Sequence, residues 1–145
     1  MVDITQAVYD KLSQDATLVS LISSYPATGS PQNPAIFTGW PVPPDAGLPY
    51  VFSRGSVADI HFDEINTNLG RDIIRDVTAI ADNTGSDSAI ETIAEQIRAV
   101  LHRQPLTVPG GTHVMTQCIG GPSVAETDDT LTGRTLSIRI VTMET

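Results

Sequence analysis

The chain has 145 residues, a length typical of one domain with a substantial core, and we predict a single domain over 1–145. Its formal net charge is −9 and its eight Lys and Arg residues are scattered, which argues against a protein that grips nucleic acid through clustered cations. A single cysteine, Cys118, excludes an internal disulfide and a zinc site of several cysteines, and no apolar run is long enough to predict a membrane span.

The N-terminal part of the chain predicts two helices. Asp3 stands where a helix N-cap is expected, and Ile4, Val8 and Leu12 then recur every four residues, which places them on one helix face. Asp15 is predicted to cap a second, shorter helix that has its own apolar side. We expect the two helices to pair as a hairpin.

A proline-rich segment, residues 25–49, follows the helices. It contains most of the chain's ten prolines and its only tryptophan, Trp40. Because proline cannot donate to a β-ladder, we expect a long loop with at most a brief strand near Ile36. Two interpretations of Trp40 stay open: it packs onto the core of its own chain, or it anchors a contact with another subunit. The residues of this candidate interface are Phe37, Trp40, Val42, Pro43 and Pro44.

The remaining residues, 50–145, predict four strands. The alternation that begins at Tyr50 indicates the first, and the β-branched residues within 71–82 favour a second. Two more are predicted over 113–119 and 134–143, where apolar and polar side chains alternate. The last of them is expected to turn alternate residues toward the core.

One long helix is predicted between the second and third of these strands, over residues 88–102. Ser88 and Glu91 have the spacing of a capping box, and an apolar stripe of helical period follows them. His102 closes the segment, where a cation would complement the helix dipole.

These elements predict an α+β fold. We expect an antiparallel or mixed sheet of about four strands, with the long helix packed on one face. In this arrangement residues 1–23 form the helical hairpin, residues 25–49 form the proline-rich loop, and residues 50–145 form the core of sheet and helix.

Two acidic loops are predicted, at 58–70 and 120–133. Asp59, His61 and Asp63 in the first loop are spaced like a cluster of metal ligands, so a small metal-dependent enzyme is an alternative function of a different class. The spacing matches no defined metal-binding loop, and we expect no bound metal, no cofactor and no catalytic residue. The acidic residues of these loops singled out as candidates are Asp59, Asp63, Glu64, Glu126, Asp128 and Asp129.

The order of several stretches resembles a known family, the small tail-completion or tail-terminator proteins of long-tailed bacteriophages, prophages and gene-transfer particles. The resemblance covers nearly the whole chain, and its most specific piece is "LPYV" after the proline-rich segment. The stretches are "SQDATLVSLIS" (13–23), "AIF" (35–37), "PPDAGLPYVF" (43–52), "RDVTAIAD" (75–82), "SAIETIAEQIRAVLH" (88–102) and "GRTLSIRIV" (133–141).

This resemblance implies a structural subunit without enzymatic activity that forms a homo-oligomeric ring, commonly a hexamer. Such a ring caps the tail tube protein, presents a surface to the head–tail connector protein, and lets DNA pass through its lumen, which the acidic candidates would line. The implied location is the tail or neck of a virion assembled in a host cytoplasm. A head-side connector of the same particle is the alternative. The segments 25–49 and 58–70 are longer than the family pattern, which affects how the neighbouring subunit and the head-side protein would be contacted.

Overall fold

The local sequence signals account for the three described helices and the central strands of the computed structural model. The model describes residues 3–26, 28, 31–39, 41–63, 69–125 and 129–144. The fold is α+β with a mixed sheet, as the sequence predicts. The described helices are α1 (Ile4–Ser13), α2 (Ala16–Leu21) and α3 (Ser88–Leu101). The described strands are β1 (Ser24–Tyr25), β2 (Asn33–Pro34), β3 (Ile36–Phe37), β4 (Tyr50–Ser53), β5 (Ala58–Asp63), β6 (Leu69–Asp82), β7 (Gly111–Val124) and β8 (Leu131–Glu144).

The main sheet is built around β6. Six strands of the described chain form it, in the order β3-β4-β6-β8-β7, and β5 also pairs with β6. β4 and β5 lie one after the other along the same side of β6, because Ser53 is opposite Val77 and Ala58 is opposite Ile74. Only the β3–β4 pair of these strands is parallel. The expected number of about four strands is therefore too low.

Strand β5 corrects the prediction of an acidic loop over 58–70. Residues Ala58–Asp63 pair in register with β6, so that Asp59 is opposite Ile73 and His61 is opposite Arg71. The polar sequence indicates a loop because the residue that compensates the charge of Asp59, Arg71, belongs to the next strand. Asp59 and Asp63 thus belong to a strand.

The second predicted loop, 120–133, is also shorter than expected. Strand β7 continues to Val124 through a register irregularity between Ile119 and Ser123, and β8 already begins at Leu131. Gly120 has a φ of 73°, a conformation that glycine adopts without strain, so the chain bends there and then resumes its pairing.

Helix α3 packs on one face of the sheet, which is called the covered face here. Alternate residues of β6 and β8 point to this face and are buried, as the alternation in the last strand predicts. The apolar stripe of α3 meets them, and α1 adds a further layer of buried side chains. The main buried residues are Val8, Leu12, Leu18, Ile73, Val77, Ile90, Ile97, Leu101, Leu136, Ile138 and Ile140.

Two of the three predicted helix caps are confirmed. The carboxylate of Asp3 accepts a hydrogen bond from the Gln6 N–H at 3.0 Å, and that of Asp15 accepts one from the Leu18 N–H at 2.9 Å. The capping box at Ser88 is wrong, because Ser88 is the first residue of α3 and Asp87 occupies the N-cap position without a side-chain capping bond.

Candidate interaction surface

The face of the sheet opposite α3 is called the uncovered face, since no described helix packs on it. Tyr50 and Phe52 project to this side, because each is opposite a residue of β6 that points away from α3. The alternation of side chains along a strand places both on the same face. These two side chains are half-buried, which distinguishes them from the fully buried Val51 between them.

Four aromatic rings form a row at the β3 end of the uncovered face. The ring of Phe37 meets Tyr25 edge-on at a centroid distance of 5.4 Å and Tyr50 at 6.0 Å. Tyr50 in turn lies 6.4 Å from Phe52. Phe37, predicted as an interface residue, is therefore half-buried within its own subunit, with one side of the ring row still open to solvent.

A groove of about 680 Å³ runs along the uncovered face beside this row. Its floor is polar: the hydroxyls of Thr78 and Thr135 are 2.9 Å apart, and the Ser137 hydroxyl donates to Asp76 at 2.6 Å. The described lining residues combine the aromatic rings of Tyr50 and Phe52 with the charged side chains of Arg54 and Asp76. Among the residues that line it are Tyr50, Phe52, Val57, Asp76, Ile80 and Leu131.

Ion pairs neutralise two acidic residues of β5 and β6. The guanidinium of Arg71 binds both carboxylate oxygens of Asp59 and thereby lowers the pKa of that carboxyl. Arg139 makes the same two-bond contact with Asp72, at 2.9 and 2.7 Å, and lowers the pKa of Asp72. Both pairs join neighbouring strands, which is a structural use of these carboxylates.

The metal-site interpretation of Asp59, His61 and Asp63 gains no support from this geometry. Both oxygens of Asp59 are already occupied by Arg71, and His61 Nε2 lies 3.5 Å from the same carboxylate. In the part of the chain that the structure describes, no group of three or more His, Cys, Asp or Glu residues is placed to hold a metal ion. The side chain of Asp63 lies outside that part.

Several predicted site residues fall elsewhere. Val42 and Pro43 are half-buried and Pro44 is exposed, and Asp129 is exposed next to the start of β8. Four of the predicted residues lie outside the described residues, so their roles stay predictions. These are Trp40, Glu64, Glu126 and Asp128.

The edge strand β7 carries features that the sequence prediction missed. The backbone N–H of Cys118 donates to Nδ1 of His102 at 3.0 Å, and the N–H of Arg103 donates to the Thr116 carbonyl at 2.9 Å. The turn after α3 therefore occupies backbone groups in the middle of this edge. His102 acts as an acceptor, and desolvation together with the nearby Arg98 and Arg103 lowers its pKa, so the prediction of a helix-terminal cation is wrong.

Exposed apolar side chains lie along the margins of the sheet. Val114, Ile119 and Val124 on β7 are 55%, 46% and 76% exposed, and Val57 and Ile60 at the other margin are 65% and 60% exposed. Large apolar side chains grouped at strand edges are typical of surfaces that meet another protein.

None of the described helices is long and apolar enough to span a membrane.

The sequence matches no protein-family profile and no curated protein. The fold is similar to that of a chain in a solved structure described as the virion of a native gene transfer agent (GTA) particle. The TM-score is 0.74 at 20% sequence identity, and the similarity covers 97% of this chain and 94% of that chain. At this identity the likeness shows a shared fold.

Proposed function

We propose that this chain is a structural protein of a phage-like virion and that it forms a ring that ends the tail tube. The observation that carries the proposal is the fold similarity to a chain of a gene transfer agent virion, which extends over nearly the full length of both chains. The resemblance of the element order to tail-completion proteins supports the more specific role. In this role the ring stops tube growth and offers a surface to the head–tail connector.

The uncovered face supports an assembly role. A sheet that keeps an aromatic row and a groove of about 680 Å³ on one side leaves surface that another subunit can bury. Head-to-tail contacts between different surfaces of one subunit close into a ring when the rotation between neighbours permits it. Phe37 and its neighbours on the proline-rich segment, Trp40 among them, belong to this proposal as subunit or partner contacts.

Net charge supports passage of DNA through such a ring. At −9 the chain repels a polyphosphate backbone at long range, so DNA can move past it without being held. Asp129 is exposed on the β8 side of the chain and is one candidate for the lumen surface. Asp59 is a weaker candidate, because Arg71 already compensates its charge.

A head-side connector of the same particle is the second candidate, because the fold similarity to a virion chain favours any structural role in such a particle. The two roles differ in the partner. A terminator binds the tail tube in the absence of heads, whereas a connector binds the portal side in the absence of tails.

To test the terminator role, the gene is removed from a strain that produces the particle, and the products are viewed by electron microscopy. The terminator role predicts tubes of uncontrolled length that are not joined to heads, and expression of the wild-type chain restores normal tails. Tails of normal length that are separate from filled heads would instead indicate the connector. Intact infectious particles of normal shape would contradict both roles.

A further inference from the structure

The basic side chains of this acidic chain differ in whether a carboxylate lies near them. Arg71, Arg134 and Arg139 each pair with a carboxylate, and Arg75 is buried, where it donates to the Thr5 hydroxyl at 2.9 Å. By contrast, the described residues place no carboxylate within ion-pairing distance of three other cations. These are Lys11, Arg98 and Arg103.

These three cations lie together beside the edge strand β7. The backbone N–H of Arg103 donates to Thr116 of that strand, and Arg98 lies one helical turn before His102, which accepts the Cys118 N–H of the same strand. Lys11 lies near the turn after α3, because it lines one cavity together with Val100 and Gln104. The group Lys11, Arg98, Arg103 and His113 is called the basic edge patch below.

The shape of the basic edge patch suits a protein partner. A groove of about 440 Å³ is lined by Arg103, the two residues after it, and residues 113–117 of β7. Val114 lies at a bulge of β7 in this lining, and 55% of its surface is exposed. Arg103 has a φ of 57°, an uncommon conformation for a residue with a side chain. Its backbone N–H donates to the Thr116 carbonyl at 2.9 Å, which fixes the backbone of Arg103 beside the strand.

The same chain carries a matching acidic surface over the first two turns of α3. Asp87, Glu91 and Glu95 recur every four residues and so share one helix face. The side chains of Asp87 and Glu91 are 56% and 63% exposed, although both contact Arg134, and Glu95 is exposed as well. The first two turns of α3 are thus acidic, and its last turn, which carries Arg98, lies in the basic edge patch.

We propose that the basic edge patch binds the Asp87, Glu91 and Glu95 face of a second copy of this chain. The contact joins two different surfaces, so it propagates head to tail and is of the kind that closes a ring. This inference rests on the proposed ring function and specifies which surfaces form the ring. Charge complementarity selects the partner copy and its register, and Val114 adds apolar area to the contact.

A second copy fits the basic edge patch better than DNA does. DNA approaching the chain meets the field of nine net negative charges, whereas the acidic end of α3 on another copy presents carboxylates at the spacing of one helix face. An exposed valine beside the cations also adds nothing to a phosphate contact.

The test is sedimentation velocity on the full chain over a wide concentration range, with two charge-reversal variants. Arg103→Glu and Glu95→Arg should each raise the dissociation constant of self-association by at least about tenfold. An equimolar mixture of the two variants should associate close to the wild-type level, because each restores the contact that the other lost. Asp82→Arg is the control, because it makes the same charge change as Glu95→Arg at an exposed position that lines neither groove, and it should leave self-association unchanged.

Unchanged self-association in both reversal variants would overturn the inference while leaving the ring proposal intact, which the tail-length experiment tests separately. A wild type that stays monomeric at every concentration would also overturn it. Fluorescence anisotropy with duplex DNA tests the other occupant. DNA binding that Arg103→Glu abolishes, without an effect on self-association, would identify the patch as a nucleic-acid site and overturn the inference.

Discussion

The guanidinium of Arg134 donates to Oδ2 of Asp87 at 2.9 Å and so ties the start of β8 to the first turn of α3. Arg134 also lies 3.4 Å from Glu91, and only 8% of its side chain is exposed. Thr132 donates to the other oxygen of Asp87 at 3.3 Å. These contacts explain why Asp87, at the N-cap position, does not bond the amide groups of its own helix.

Loss of this tie should destabilise the subunit. We expect Arg134→Met to lower the free energy of unfolding by about 2 kcal/mol, because it removes the cation that both carboxylates contact and takes a buried side chain out of its packing. Urea denaturation measures the change. Arg139→Met is the matched control: the Arg139 side chain is 44% exposed, whereas that of Arg134 is 8% exposed, and the expected loss is below about 1 kcal/mol. Equal losses in the two variants would contradict this account of Arg134.

The aromatic row predicts a structural contribution from Phe37. We expect Phe37→Ala to lower the free energy of unfolding by about 2 kcal/mol, since it removes two edge-on ring contacts and leaves space beside Tyr25 and Tyr50. Phe37→Leu keeps most of the apolar volume and should cost about half as much. If Phe37→Ala weakened only self-association and left the urea midpoint of the monomer unchanged, Phe37 would be purely an interface residue.

We expect that a larger residue in place of Gly70, which pairs with Phe62 of β5, disturbs the pairing of β5 with β6. The ring of Phe62 lies directly over Gly70, in the space that a β-carbon at this position would need. Gly70→Ala must therefore displace that ring, and we expect faster hydrogen exchange in β5 together with a loss of about 1 kcal/mol. Gly55→Ala is the control, because nothing lies within 4 Å of its added β-carbon. Unchanged exchange in β5 would show that the ring does not secure the strand.

His102 should titrate below its ordinary range, because desolvation and two neighbouring cations lower its pKa. The folded state therefore binds a proton at His102 less well than the unfolded state does. The contribution of His102 to the free energy of unfolding is fully present above about pH 6.5 and falls as the pH drops toward the folded pKa. His113 is shifted in the same direction, mainly by burial. NMR titration of both imidazoles should give values below 6.5.

The variant His102→Gln separates the two histidines. Glutamine can still accept a hydrogen bond from the Cys118 N–H but does not titrate. The free energy of unfolding of the variant should therefore fall less on acidification than that of the wild type. A His102 pKa at or above 6.5, or an unaltered pH dependence in the variant, would argue against the acceptor role.

Elements with a strong local pattern were predictable. The β-branched residues around Ile73 and Val77 gave the central strand, and the stripe through Ile90 and Ile97 gave α3, because burial against a single core imposes the period of each element on the sequence. The alternation of Tyr50 and Phe52 with Val51 likewise predicted strand β4.

What the sequence did not reveal depends on contacts between distant residues. Strand β5 looked like a loop because the charge of Asp59 is compensated by Arg71, twelve positions further on and in another strand. The rings of Phe37 and Tyr25 come into contact only in the folded chain, and no local sequence pattern predicts that contact. Arg134 and Asp87, separated by 47 positions, replaced the capping box expected at Ser88 for the same reason.

The location of the chain in an assembled particle tests the central claim most directly. A small peptide tag on the C-terminus, bound by a gold-labelled antibody and viewed by electron microscopy, marks every copy. The account predicts label in one place, where the tail tube ends next to the head, with none along the tube. Particles without label, or label spread along the tube, would contradict it.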